Sequence, residues 1–191
     1  MFMSKLIPAA ILAVLLTGCG ASVPNRDPLG ETFPTVEGTS LGGDQWRLPV
    51  DLGDRHAVLL VGYEQDAQFD IDRWLIGLDL YAVRTPLLEI PTIEGLVPGL
   101  LSGRIDSGMR AGIPEPIWDA VVTVYDDAGA IQRFTGTEDP NSARVLLLDG
   151  DGRVIFFHDQ GFSVPALRRL LDALPADQHG PPRLCDCPAP E

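Results

Sequence analysis

The 191-residue chain carries 27 acidic side chains against 14 basic ones and three histidines, a formal charge of −13. That is enough length for one domain with a buried core, and the 45% hydrophobic content excludes disorder over most of it. An acidic surface with scattered arginines and no basic stripe excludes nucleic acid as a partner.

The first element is an address. Lys5, an apolar run from Leu6 to Leu16 and small residues before Cys19 form the n-region, h-region and cleavage point of a secretory signal peptide. The apolar run is shorter than the roughly 20 residues a membrane span takes. Leu16-Thr17-Gly18-Cys19 resembles the box read by bacterial lipoprotein processing, which implies cleavage before Cys19 and lipidation of its sulfur. Removing residues 1–18 takes one base and no acid, leaving a formal charge of −14. Acyl chains on Cys19 would hold the protein to a membrane surface at about 0.8 kcal/mol per buried methylene. Gly20 stands where the inner-membrane retention signal carries Asp, so the resemblance implies an outer-membrane anchor facing the periplasm. Every base after Lys5 is arginine; their scatter fits a coding bias better than anion recognition.

Residues 19–37 are expected as a lipid-anchored flexible tether, because the stretch from Ala21 to Pro34 is rich in Pro, Gly and polar residues. The folded domain is expected over residues 38–174. Ala57 to Val61 is a continuous apolar run, the pattern of a strand buried on both faces. Ile71, Trp74, Leu75 and Leu78 then share one helix face. Leu87 to Ile93 reads as a strand stopped near Pro91. Val97, Leu100, Leu101, Ile105 and Met109 repeat the helical spacing, with Arg104, Asp106 and Arg110 on the other faces and an end near Gly112.

Ala120 to Tyr125 is β-branched and predicts a strand. Val145–Leu148 and Val154–Phe157 flank Asp149-Gly150-Asp151-Gly152, which predicts an antiparallel hairpin. Ser163 is placed to cap a helix carrying Leu167, Leu170, Leu171 and Leu174, with Phe162 and Leu167 as a hydrophobic staple. Residues 175–191, with five prolines, predict an irregular, exposed tail. The order of elements implies an α/β fold, a mixed sheet with helices on both faces.

That order, with Val58–Gly62 before the first main helix, Val121–Asp126 followed by Ile131 and Phe134, the residues Leu147 to Val154, and Gly161 before the last helix, resembles the thioredoxin-like superfamily in its peroxiredoxin or thiol-reductase form. The resemblance implies a three-layer fold over about Gly38 to Leu174. Gly108-Met109-Arg110, with a strand ending in Tyr125-Asp126-Asp127, is similar to the mitochondrial ATP synthase assembly factor family and implies chaperone-like work. Redox-active relatives place one or two cysteines after the first core strand, where a helix N-terminus lowers the thiol pKa. Here Gly62 to Asp70 contains no sulfur, and Ala143 stands where the superfamily has a cis-proline. No catalytic residue is assigned, no cofactor is called for, and the expected partner is another envelope protein.

The remaining candidates are weighed singly. Cys185 and Cys187 form an even pair once Cys19 is lipidated, and three readings stay open: an inert bridge or idle tail, a redox-active strained disulfide, and a soft-metal clip aided by His179. No metal site is assigned, since the pair lacks a full ligand set. Glu64, Asp66, Asp70 and Asp72 cluster at the first helix, where capping is the better reading than a cation site. His56 and His158 lie at strand ends without a nucleophile. Trp46, Trp74 and Trp118 suggest a ligand cage, with core packing the preferred fate of Trp74.

Overall fold

A computed structural model describes residues 22–95 and 98–183. Its centre is the strand the apolar run predicts: every residue of β3 (Ala57–Gly62) is buried. Strand alternation sends Ala57, Leu59 and Val61 into one hydrophobic cluster and Val58 and Leu60 into another on the opposite face. β4 (Leu87–Pro91) lies parallel to β3 on one side. β6 (Arg144–Leu148) lies antiparallel on the other and leads by the expected hairpin into β7 (Val154–His158), so the order is β4-β3-β6-β7. In the connecting turn the Asp149 carboxylate accepts from the N–H groups of Asp151 and Arg153, at 3.0 and 2.9 Å, which confirms a hairpin turn.

A second sheet, β2-β1-β5, was only partly foreseen. β1 (Val36–Ser40) and β2 (Gln45–Leu48) form an antiparallel hairpin. Of the strand expected over residues 120–125, β5 is a two-residue ladder at Val122–Thr123, but Val121 and Val124 bridge in parallel to Glu89 and Thr92. β5 thereby joins the two sheets edge to edge.

The first long helix, α1 (Gln68–Leu80), packs with α4 (Val164–Ala173) on one face of the main sheet. Ile71, Trp74 and Leu78 point inward from α1, and Leu167, Leu170, Leu171 and Leu174 pack against them. Gly77 lets the helices meet, since a Cβ there would lie 2.9 Å from Leu167 and 3.1 Å from Phe162, the two staple residues. The Ser163 hydroxyl accepts from the Ala166 N–H, the cap that the sequence predicts. On the other face lies α3 (Ala128–Thr135), a helix missing from the sequence reading, which buries Ile131 and Phe134.

α2 (Pro98–Gly112) ends where expected, but the polar face assigned to it does not simply meet water. Asp106 accepts from the Tyr125 hydroxyl at 2.7 Å, and Arg110 donates from Nε to the Leu41 carbonyl at 2.8 Å while lying over the Trp118 ring. Among the described residues, no helix is long and apolar enough to cross a membrane.

The largest departure is the N-terminal segment. Residues 22–37, expected within the tether, lie against the body. Phe33 is 2% exposed and meets Phe134 edge-on at 5.6 Å. Residues 30–33 follow the start of β7, with Gly30 N–H donating to Val154 O and Val154 N–H to Glu31 O, both at 2.8 Å. Residues 23–26 do the same beside residues 135–137. A composition poor in apolar residues still docks here because an open strand edge offers unpaired backbone groups and one phenylalanine anchors the segment.

The tail bends back as well. Residues 175–183 are irregular, as expected, but Gly180 and Arg183 donate their N–H groups to the Tyr81 and Leu80 carbonyls at the C-terminal end of α1, at 2.8 and 2.7 Å. Cys19, Cys185 and Cys187 lie outside the described residues.

Phe33→Ala separates a packed arm from a tether. Emptying a buried phenylalanine site costs about 3 kcal/mol or more of unfolding free energy, and the same change in a solvated tether costs none. Urea unfolding of the two proteins measures the difference.

Candidate functional site

The carboxyl ends of β3 and β4 face the N-terminal end of α1, the place where open α/β sheets hold their ligands. β3 ends at Gly62; Tyr63 and Glu64 follow, then a single 3-10 turn at Gln65–Ala67, then α1. Neither the 3-10 turn nor α1 has a side chain capping its N-terminus. The capping role expected of the four carboxylates is therefore not how they are used. Glu64, Asp66 and Asp72 are exposed, whereas Asp70 is buried in the first turn of α1.

Asp70 works as a clamp between three segments. Its Oδ2 accepts from the Ala143 N–H at 3.0 Å and its Oδ1 from the Phe162 N–H at 2.6 Å. The first bond explains the residue at position 143: proline has no N–H to give, so a proline there would leave one Asp70 oxygen without this donor. The peptide leading into Ala143 is trans, and the single cis peptide among the described residues is Leu48–Pro49, at the other end of the sheet beside Gly152. One carboxylate thereby ties helix, loop and strand together at the position where the superfamily that the sequence resembles has a cis-proline.

Gln68, the first residue of α1, joins two more acids. Its amide donates to Asp72 at 3.0 Å and to Glu89 of β4 at 2.9 Å. Glu89 is 6% exposed, and burial pushes its carboxyl above the usual glutamate range; the Gln68 hydrogen bond works against this and the Asp72 charge adds to it. On the other side of the mouth Tyr63 shares a hydrogen bond with the Thr135 hydroxyl, and burial, opposed by that bond and by the nearby Arg144 charge, lifts its phenol to about 12. Tyr63 thus stays neutral at any physiological pH.

The other sequence candidates are dispersed. Ala57 pairs with Leu148 and His158 with Val145, so His56 and His158 stand at opposite ends of the sheet. His158 donates from Nε2 to the Gly161 carbonyl at 2.7 Å and meets Trp74 edge-on, which makes it part of the packing around α1. Trp74 and Trp46 belong to clusters on opposite faces of the sheet, and the Trp118 indole donates to the Ile113 carbonyl, so the three tryptophans form no cage. Among the described residues, no group of three or more His, Cys, Asp or Glu is placed to hold a metal. Reasoning on the sequence missed Gln68, Glu89 and Arg144; the one available signal was an acid or base interrupting an apolar strand run, at Glu89 within residues 87–91 and at Arg144 ahead of residues 145–148.

No family model matches the chain, and no curated protein matches it in sequence. Solved structures do match in fold. Yeast Sco1 with copper bound is 12% identical, with a TM-score of 0.52 over 80% of this chain and 99% of that one. BsSco, described as a member of the Sco family of cytochrome c oxidase assembly proteins, is 12% identical with a TM-score of 0.53, covering 78% and 95%. The exposed lipoprotein thioredoxin Etrx1 of Streptococcus pneumoniae strain TIGR4 is 14% identical with a TM-score of 0.50, covering 74% and 100%. The fold is thioredoxin-like, as the order of elements and the β4-β3-β6-β7 sheet require. Gly62 to Asp70 offers copper no soft ligand, since it holds neither sulfur nor imidazole.

Two substitutions test this description. Asp70→Ala strands a buried N–H at Ala143 and a half-buried one at Phe162, and is expected to cost about 3 kcal/mol in urea unfolding. Glu89 has a folded-state pKa above its unfolded one, so its contribution to stability is full below the ordinary glutamate range and is lost as pH rises through the raised value. Glu89→Gln keeps an acceptor for Gln68 and removes that loss. Its melting temperature should exceed the parent's at pH 7, and the two should converge near pH 4.

Proposed function

We propose that this chain is a lipid-anchored envelope protein whose thioredoxin-like domain binds other proteins, in assembly or chaperone work, without exchanging thiols. The observation that carries this reading is the head of α1: Gly62 to Asp70 contains no sulfur, and the Asp70 clamp holds Ala143 where a cis-proline was expected. A surface suited to proteins lies beside it, since Phe69 and Ile76 on the outer side of α1 are 70% and 71% exposed.

The anchor reading rests on the Leu16 to Cys19 box, with Gly20 favouring the outer membrane and its periplasmic face. Two residues, Gly20 and Ala21, separate that cysteine from the described arm, and the three steps from residue 19 to residue 22 reach about 10 Å when extended, so the body would ride close to the bilayer. The likeness to the Sco assembly proteins and to a pneumococcal lipoprotein agrees with both halves of the proposal.

Chain length bears on whether the tail cysteines could restore exchange at the mouth. Arg183 is docked on Leu80, the last residue of α1, and the helix's 13 residues run about 20 Å back to its first turn. Four extended residues, as far as Cys187, span at most about 14 Å.

A photo-crosslinking residue at position 69, in intact cells, tests the proposal in the parent and in the Cys185→Ser/Cys187→Ser protein. The same crosslinked proteins are expected from both. Loss of the crosslinks with the two thiols, bands that reducing agent dissolves, or no crosslink in either protein would overturn it.

A further inference from the structure

Arg144 is the first residue of β6, paired with Val61 at the carboxyl end of β3, and its side chain is fully buried. Yet no carboxylate meets it: the ion pairs among the described residues are Arg26 with Glu31 and Arg183 with Asp79. Its Nη1 donates to the Asp139 and Ser142 carbonyls, each at 2.6 Å, and the guanidinium lies 5.5 Å from the Tyr63 ring centre. Nη2 reaches only the side-chain oxygen of Asn25, at 3.2 Å, and Nε has no partner. In a chain with 27 acidic residues, a buried cation left to neutral oxygens is a specific and costly arrangement.

The unsatisfied side of Arg144 has a definite shape. Nε and Nη2 together form the edge of a guanidinium that takes a carboxylate through two parallel hydrogen bonds. Asn25 presents one neutral oxygen to that edge, and the same oxygen also accepts from the Glu138 N–H at 2.9 Å. Asn25 is held there by a thin seam: Val23 and Thr137 exchange two hydrogen bonds, and the Arg26 N–H donates to the Thr135 carbonyl at 3.3 Å. Gly136 lies directly beneath, where a Cβ would come within 2.3 Å of the Asn25 Cα. The outer side of Asn25 borders an open cleft of about 390 Å³ lined by Arg26, His158 and Arg169 and also by Asp27 and Asp159.

We propose that Arg144 anchors a carboxylate-binding site, plugged by Asn25 of the N-terminal arm, which opens into the neighbouring cleft when residues 23–26 lift from residues 135–137. The ligand is a carboxylate, supplied by a small organic acid or by the free C-terminus of a polypeptide. The site is independent of lipidation at Cys19 and of thiol chemistry at the mouth, so it stands or falls separately from the function proposed above.

Calorimetry at constant ionic strength tests the site in the full chain with acetate, with sulfate, and with one short peptide whose C-terminus is free or amidated. Asn25→Ala removes the plug and should bind acetate or the free-ended peptide about tenfold more tightly than the parent, because the competent state no longer has to be opened first. A free-ended peptide that binds where its amidated form does not identifies a chain terminus as the ligand; acetate binding alone identifies a small acid. Asn25→Asp puts a carboxylate on Arg144 from within, so this variant should melt above the parent and bind neither probe. No gain in Asn25→Ala, equal binding of sulfate, or an Asn25→Asp protein melting no higher than the parent would overturn the assignment.

Discussion

The whole arrangement depends on two adjacent strands that cannot face water. Every residue of β3 and β6 is buried, and one of those eleven is an arginine. Two such strands side by side demand cover on both faces, which is why α1 and α4 must close one side while α3, β1 and the N-terminal arm close the other. The arm's docking follows from the same demand. Without Phe33 and the backbone pairing at Glu31 and Val154, the cluster around Ile131 and Phe134 would lose part of its cover and the outer edge of β7 would lose its partner.

Function in this fold turns on what occupies the carboxyl end of the sheet. A thiol at the head of α1 would draw reactivity from the helix terminus. Here the head of α1 is spent on internal bonds: Asp70 holds Ala143 and Phe162, and Gln68 holds Glu89. These bonds make the mouth a rigid feature of the surface. The polar groups buried around it, Glu89 on one side and Arg144 with Tyr63 on the other, are of opposite character and are not in contact as an ion pair. The carboxyl end of the sheet thus keeps a buried acid and a buried base apart, with an outward aromatic, Phe69, at the helix's first turn.

The arm and the tail are both held to the domain by hydrogen bonds. The seam along residues 135–137 and the pairing with β7 fix residues 23–33 on the body, where a free tether would let them move. At the other end of the described residues, Gly180 and Arg183 dock on the end of α1.

Local pattern alone determined a good part of this molecule. The unbroken apolar run of residues 57–61, the 3.6-residue spacing of Ile71, Trp74 and Leu78, the Asp-Gly-Asp-Gly turn and the Ser163 cap each carry their physics within a few neighbouring residues, so strand, helix, hairpin and their order were legible. The missing sulfur between Gly62 and Asp70 was legible for the same reason. Tertiary structure alone decided the rest, because the deciding partners are far apart in sequence. Asp70 lies 73 and 92 positions from the N–H groups it holds, and Asn25 lies 119 from Arg144. An acid read as a helix cap, an arginine read as coding bias and a segment read as tether each acquired its role from a group that no local window contains.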